Sequence, residues 1–224
     1  MIEEELPKLR QVFHKKAIAN ISGFSVEDYA YTAALFDKEE DIAILEINIS
    51  CPNVRHGGMA FGTDPEAAAS VCRAVKQAVQ KPVYMKLSPN VTDIAAIAKA
   101  VAEAGADGIV LINTLLGMRI EPRTGKPIVS TKMAGFSGPA IKPVALRMVW
   151  QCHNAVGIPI LGMGGICTGE DAVEFMLCGA TAVAVGTANF MDPLAAAKVV
   201  DGIAAYCKEQ GVNDVNDLIG ALEC

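Results

Sequence analysis

The sequence predicts an α/β protein built on a parallel (β/α)8 barrel of the TIM type, and three observations lead to this prediction. Short apolar runs rich in Ile and Val are followed by helix-like segments, repeatedly, along the 224 residues. These runs do not alternate polar and apolar residues, which is typical of strands buried on both faces. Glycine-rich turns follow the last two runs, where barrels of this type often bind phosphate.

Six strand–helix units account for most of the chain. The predicted strands are 17–21, 43–49, 83–87, 108–112, 159–163 and 182–185, and the helices that follow them are 26–36, 65–79, 94–104, 141–155, 171–177 and 194–206. Further helices are predicted at 3–12 and 214–222. Ser25, Asp64 and Thr168 stand where helix N-caps are expected.

The number of units leaves two sheet architectures to compare. An open doubly wound sheet would accommodate six strands, but glycine turns after the last two strands favour the barrel. A closed barrel needs eight units, so we expect about six of the eight here, with the first two strands missing from the amino-terminal end. We expect a single domain, 1–224, in which the long connection 114–139 is functional or mobile.

Composition excludes several classes of protein. The net charge is −6 and no extended Lys/Arg cluster occurs, so neither nucleic acid nor an anionic membrane is an expected partner. No apolar stretch approaches the ~18 residues of a membrane span, and the amino terminus lacks a secretory pattern, so a cytoplasmic location is expected. The seven cysteines include no Cys-x-x-Cys pair, so no metal site is predicted.

The strongest functional signal is at the ends of the last two predicted strands. Gly164 and Gly165 follow one strand and precede a helix that begins after Thr168, whereas Gly186 and Thr187 follow the other. Glycines let backbone N–H groups approach an anion, and a helix amino terminus adds a positive dipole end. Tight turns alone would explain either loop, but the pair at this spacing favours a phosphate-bearing ligand.

A second signal is Cys51, which lies between Asn48 and Asn53 at the end of an apolar strand. Residues 54–62 follow and are rich enough in glycine to form a flap. A thiol with a pKa near ~8.5 can act as a base or a nucleophile where its surroundings favour the thiolate. A buried structural cysteine is the alternative, but the strand-end position between two amides favours a chemical role.

Three other strand ends carry polar side chains. Lys86 stands in a strand that is otherwise apolar, where a charge is costly unless a partner such as a bound anion or an electron-rich ring compensates it. Asn20 ends the first predicted strand, and Asn113 and Thr114 end the fourth. An exposed edge lysine and ordinary turn residues are the alternatives for these positions.

These residues together resemble the dihydroorotate dehydrogenases, and in particular the class 1B catalytic subunits that are linked to NAD. The stretches that carry the resemblance are 48–58, 61–65, 86–90, 112–114, 135–139, 164–166 and 186–187. Together they extend over nearly the whole chain. Cys at position 51 is similar to class 1, because the membrane-bound class 2 enzymes have Ser there.

The resemblance implies a function, a cofactor and roles for individual residues. It implies oxidation of (S)-dihydroorotate to orotate in pyrimidine biosynthesis, with Cys51 removing the C5 proton and FMN taking the C6 hydride. The residues implied to bind the pyrimidine are Asn48, Asn53, Asn113 and Thr114. Those implied to contact FMN are Asn20, Lys86, Ile112 and Gly138, with Gly164, Gly165, Gly186 and Thr187 at its phosphate.

The resemblance also implies partners. Class 1B enzymes pass electrons to a second subunit that holds FAD and a 2Fe–2S cluster, and from there to NAD. A homodimer within a heterotetramer is therefore expected. Because the family's first two strands supply part of the substrate pocket, we expect weak turnover or none from these 224 residues alone.

Three alternative functions remain open from the sequence. A flavin barrel like that of dihydropyrimidine dehydrogenase would share FMN and the Ser-Cys-Pro run. A thiol enzyme would form a covalent adduct on Cys51 and carry no flavin. A catalytically incomplete fragment would serve only as a binding or assembly surface.

Overall fold

A computed structural model describes residues 1–50 and 61–223. The strands, in chain order, are β1 Ala17–Ile21, β2 Ile42–Asn48, β3 Val83–Lys86, β4 Gly108–Leu111, β5 Leu115–Met118, β6 Ile120–Glu121, β7 Lys126–Pro127, β8 Met133–Phe136, β9 Ile160–Met163 and β10 Ala182–Ala184. The α-helices are α1 Glu5–Val12, α2 Val26–Asp37, α3 Pro65–Ala78, α4 Ile94–Glu103, α5 Lys142–His153, α6 Gly169–Leu177, α7 Ala188–Met191 and α8 Ala195–Gln210. Short 3₁₀ turns occupy Pro139–Ile141 and Val215–Leu218.

The main sheet contains six parallel strands in the order β1-β2-β3-β4-β9-β10. This spatial order follows the chain order without a reversal, so the sheet is wound in one direction only. A doubly wound sheet reverses its order at a switch point, so that alternative is wrong. The α/β class and the six predicted strand–helix units are confirmed, whereas the described residues do not form a closed ring of eight strands.

Local signals explain where the helices begin. The side chains of Ser25, Asp64 and Thr168 accept hydrogen bonds from the backbone N–H groups of Asp28, Ala67 and Asp171, as N-caps do. At α6 the bond is reciprocal, because the Asp171 carboxylate accepts from the Thr168 N–H. The three predicted caps are confirmed.

Two segments differ from the sequence prediction. The predicted helix 214–222 is wrong, because only the 3₁₀ turn at 215–218 forms and Gly220 then adopts a positive φ of 71°. The tail is held instead by α6, where the carbonyl groups of Met176 and Leu177 accept from the N–H groups of Gly220 and Leu222. Within the connection 114–139, β5 pairs with β8 and β6 with β7, so two antiparallel ribbons organise it.

The two faces of the sheet have different chemistry. Ala19, Ile21, Leu45 and Ile47 are buried, and the helices from α2 onward pack side by side in the order of their strands. On the opposite face, strand pairing aligns Asn20 with Glu46 and Asn48 with Lys86. This inner face therefore carries the polar side chains. Among the described residues, no helix combines the length and the apolar character needed to cross a membrane.

Candidate active site

A charged pair lies on the inner face between β2 and β3. The Lys86 ammonium is 3.0 Å from Oε1 of Glu46, and the two side chains are 15% and 7% exposed. The Asn20 amide, on β1, donates to the same carboxylate oxygen. The sequence suggested a bound anion or ring as the partner of Lys86, but the structure provides a carboxylate from the next strand.

A second network joins the ends of β2 and β4. Oδ1 of Asn48 accepts from the Ser50 hydroxyl at 3.1 Å and from the Asn113 amide at 3.1 Å. The Asn113 amide also donates to the hydroxyl of Ser50, which is fully buried, at 2.6 Å. Nδ2 of Asn48 lies 3.4 Å from Oδ1 of Asn20, so this network connects with the charged pair. Four strand ends therefore form one polar layer.

Asn90 fixes the start of the long connection. Its amide donates to the Thr114 carbonyl at 3.0 Å, and its Oδ1 accepts from the N–H of Leu116 at 2.8 Å. Gly135, on β8, lies directly against the Thr114 side chain, which leaves no room for a Cβ there. Thr114 is thus held between the loop after β3 and the β5–β8 ribbon.

The loop after β9 depends on glycine for both its conformation and its packing. Gly164 and Gly165 have φ values of 132° and 81°, which side chains rarely tolerate. A Cβ on Gly165 would lie 2.7 Å from the Gly138 carbonyl oxygen, and one on Gly164 would lie 2.9 Å from the Cβ of Ala145. The backbone therefore reaches the pocket where a side chain could not.

The amino terminus of α6 is occupied from within the chain. The N–H groups of Cys167 and Thr168 both donate to Asp171, at 2.8 and 2.9 Å, so these two donors are not available to the anion that the sequence predicted. Partial burial opposes the charge on Asp171, but hydrogen bonds from Lys142 and from these N–H groups outweigh it and lower the pKa of the carboxyl. Within the described residues, the N–H groups of Gly165, Gly186 and Thr187 have no acceptor.

One cavity of about 190 Å³ joins the two sides. Of the predicted residues, those that line it are Lys86, Ile112, Asn113, Thr114, Gly138, Gly164, Gly165, Gly186 and Thr187. Asn20 and Asn48 do not line it, but Asn20 is linked to Lys86 through Glu46, and Asn48 bonds Asn113 directly. Cys51 and Asn53 lie outside the described residues, as does most of the predicted flap 54–62.

Several functional candidates were missed by the sequence reasoning. Glu46, Ser50, Asn90 and Ser137 each bond to a predicted site residue, and the Ser137 hydroxyl accepts from Thr187 at 2.9 Å. Glu46 had a usable signal, because it is a charge in an apolar strand, as Lys86 is. The other three have ordinary turn or strand-end contexts, and their one signal is that each lies in a stretch that carries the resemblance.

The buried thiols of the described part do not take part in this site. Burial raises the pKa of both Cys72 and Cys152 to about 12, so neither forms a thiolate near neutral pH. Among the described residues, no three His, Cys, Asp or Glu side chains come together in a way that could hold a metal ion.

The fold and the cavity define a singly wound α/β protein with its pocket at the carboxyl ends of parallel strands. The family model described as dihydroorotate dehydrogenase matches residues 1–206. The chain is 55% identical over 222 residues to the dihydroorotate dehydrogenase B (NAD(+)) catalytic subunit of Geobacter metallireducens, covering 99% of this chain and 72% of that one. The subunit of the same name from Geobacillus kaustophilus is 52% identical over 220 residues, covering 98% and 70%.

A solved structure agrees with the fold. The crystal structure of DHODH from Eimeria tenella, in complex with ferulenol, superposes with a TM-score of 0.80 at 22% identity, over 98% of this chain and 65% of that one. The chain belongs to the dihydroorotate dehydrogenase family, in the branch of the NAD-linked B-type catalytic subunits. It is therefore a member of an oxidoreductase family, and it spans about two thirds to three quarters of the length of these relatives.

Proposed function

We propose that the protein binds FMN in this cavity and oxidises (S)-dihydroorotate to orotate for pyrimidine biosynthesis. The observation that carries the proposal is a single cavity that joins Lys86, Asn113 and Thr114 to the glycines after β9 and β10. The B-type relatives are named for dihydroorotate and NAD, which supports the same reaction.

The glycine side of the cavity fits a phosphate group. The N–H groups of Gly165, Gly186 and Thr187 have no acceptor among the described residues, and the Thr187 hydroxyl is beside them. Gly164 keeps the backbone close to the cavity because a Cβ would overlap its neighbours. We assign the FMN phosphate to these four residues.

The remaining wall suits the rest of the cofactor. Lys86 brings a positive charge to the cavity, whereas Ile112 and Gly138 offer an apolar side chain and an open backbone. Asn20 supports this side through Glu46. When bound, FMN supplies the acceptor for the hydride that leaves C6 of the substrate.

The substrate is assigned to the polar layer next to Lys86. Asn48, Asn113 and Thr114, with Asn53, would hydrogen-bond the edge of the flat pyrimidine ring without adding charge. The Cys51 thiolate would take the C5 proton, and the C5–C6 double bond forms as the hydride leaves C6. Ser50 precedes Cys51 in sequence and is held by Asn48 and Asn113, so the layer anchors the chain at that point.

Electron exit and assembly complete the proposal. A partner subunit with FAD and a 2Fe–2S cluster would carry electrons to NAD, in a homodimer within a heterotetramer. We also propose that the six units belong to a (β/α)8 barrel, which single winding and the TM-score of 0.80 support. A cytoplasmic location stays a prediction from the sequence.

The test begins with purified protein and added FMN. We expect a flavin spectrum that dihydroorotate bleaches under anaerobic conditions, and a Cys51→Ala variant that keeps the flavin but reduces it at least roughly 100-fold more slowly. Cys207→Ala removes a thiol that lies outside the cavity and serves as the matched control.

The outcomes separate the alternatives. A protein that takes up no FMN contradicts the proposal, and bleaching by dihydrouracil but not dihydroorotate supports the dihydropyrimidine reading instead. Steady turnover equal to that of a full-length B-type relative would contradict the expectation of weak turnover but would support the assigned chemistry.

A further inference from the structure

We propose that Glu46 is a positioning residue of the flavin site, which holds Lys86 at the cavity and offsets its charge. The part of this inference that concerns the flavin rests on the proposed function. Counted as a whole residue, Glu46 is 5% exposed, and it is the one buried acidic or basic residue in the described part of the chain. A carboxylate in such a place is costly unless it is paired, so its partners indicate its purpose.

Both partners of Glu46 lead to the cavity. Its Oε1 accepts from the Lys86 ammonium at 3.0 Å and from the Asn20 amide, on the strands to either side. Lys86 lines the cavity, whereas Asn20 contacts Asn48, which in turn bonds Asn113 in the cavity wall. Glu46 therefore fixes one residue assigned to FMN and reaches the amides assigned to the pyrimidine.

A contribution to folding stability does not by itself explain why Glu46 and Lys86 form a buried ion pair. A buried ion pair often contributes no more than a well-packed apolar pair of similar volume, because desolvation offsets the attraction. The other buried residues of β2 are apolar, and they include Leu45 and Ile47 on either side of Glu46. A buried charged pair whose lysine lines the cavity is better explained by its effect on a bound group.

The charge balance predicts the direction of that effect. An ammonium beside the flavin favours the reduced, more negative form, and a carboxylate 3.0 Å behind the ammonium weakens that preference. Replacing Glu46 with Gln keeps an oxygen that can accept from Lys86 and Asn20 but removes the negative charge. The variant should therefore bind reduced FMN more tightly relative to oxidised FMN.

The main test compares Glu46→Gln with Glu103→Gln, which removes the same charge from an exposed position on α4. We expect the ratio of the oxidised to the reduced FMN dissociation constants to rise about tenfold in Glu46→Gln, which is about 30 mV for a two-electron couple. Glu103→Gln should match the wild type. Combined with Lys86→Met, Glu46→Gln should be non-additive, because the two side chains are in direct contact.

A second readout needs no flavin. In the protein without FMN, acetic anhydride should label Lys86 several-fold faster in Glu46→Gln than in the wild type, relative to the exposed Lys99 measured in the same digest. An unchanged labelling rate overturns the positioning role. If Glu46→Gln binds FMN but leaves the FMN reduction potential unchanged, the charge effect is overturned. A lower melting temperature alone would not support it, because a purely structural role would change only the melting temperature.

The two proposals fail differently. If the wild type binds no FMN, the proposed function fails and so does the flavin part of this inference, while the labelling still decides the positioning part. If the wild type binds FMN but Glu46→Gln changes neither the ratio of the FMN dissociation constants nor the labelling rate of Lys86, only the inference fails.

Discussion

The two sides of the cavity present different chemical groups, side chains on one side and backbone on the other. On the side of β1 to β4, side chains form a polar layer that includes Glu46, Asn48 and Asn113. On the side of β9 and β10, backbone groups of glycines line the cavity, and the Asp171 carboxylate supports the loop by accepting from the N–H of Cys167. Removing a side chain should therefore impair the function of the first side, whereas adding a side chain should impair that of the second.

The largest effect is expected from adding a methyl group to the glycine side. Gly165→Ala forces a side chain onto a φ of 81° and places its Cβ 2.7 Å from the Gly138 carbonyl oxygen. We expect a loss of about 2–3 kcal/mol in the free energy of unfolding and a drop of at least roughly 100-fold in FMN affinity. Chemical denaturation and flavin fluorescence titration measure the two quantities.

Gly157→Ala is the control for this substitution. Its Cβ would contact nothing within 4 Å, and the residue lies on the surface away from the cavity. If both variants bind FMN equally well, the backbone of the β9 loop is not the phosphate site.

Removal of a side chain should damage the opposite side. Asn113→Ala takes away the amide that bonds Asn48 and the buried Ser50 hydroxyl, at a cost of about 1–2 kcal/mol in the free energy of unfolding. FMN affinity should change less than threefold, while the rate of flavin bleaching by dihydroorotate should fall roughly 10- to 100-fold.

Stopped-flow reduction separates these two quantities for Asn113→Ala. Gln77→Ala removes an exposed amide from α3 and should match the wild type. A loss of FMN affinity equal to that of Gly165→Ala would contradict the division between the two sides.

A smaller effect, and one that depends on pH, is expected from the support of the β9 loop. The folded-state pKa of Asp171 is lowered, so its contribution to stability is present above the unfolded value of about 3.9 and is lost as the pH falls through the folded value. Asp171→Asn should therefore cost about 1 kcal/mol at pH 7 and progressively less below about pH 4.

Denaturation curves at several pH values test this dependence. Asp201→Asn, at an exposed position on α8, should show no such convergence in acid. A constant difference between wild type and Asp171→Asn from pH 7 to pH 3 would mean that the charge of Asp171 does not support the loop.

The smallest effect is expected from a side chain on the glycine side. Cys167 lines the cavity, but the structure uses its backbone N–H, which donates to Asp171. Cys167→Ala keeps that N–H, so FMN affinity should change less than about twofold, within the range of surface substitutions. A tenfold change would show that side chains also matter on this side.

The same contrast explains what could be predicted from sequence. Short apolar runs predicted the six strands, and glycines after the last two strands predicted which loops approach the cavity, because both patterns are local. Glu46 was missed because its meaning depends on Lys86, which pairing between β2 and β3 brings within 3.0 Å. The N–H donors at the start of α6 were predicted to bind an anion. The structure has those of Cys167 and Thr168 bonded to Asp171 instead, a contact that depends on loop geometry and has no local signal in the sequence.

The remaining misjudgements also concern non-local structure. The segments Leu115–Met118 and Met133–Phe136 do not alternate polar and apolar residues, so the pairing of β5 with β8 had no signal. The helix predicted after residue 214 has suitable residues, but contacts with α6 hold the tail in another conformation. The roles of Cys51 and Asn53 stay predictions.

Single winding has a consequence for how the chain reaches this structure. Most paired strands are close in sequence; Met85, for example, pairs with Ile109. The exception is the step from β4 to β9, where Ile109 pairs with Ile160, about twice as far along the chain. Doubling a loop costs only about 0.6 kcal/mol in closure entropy. The ribbons within 114–139 shorten that loop further, so each strand pair of the sheet closes a loop of similar entropic cost.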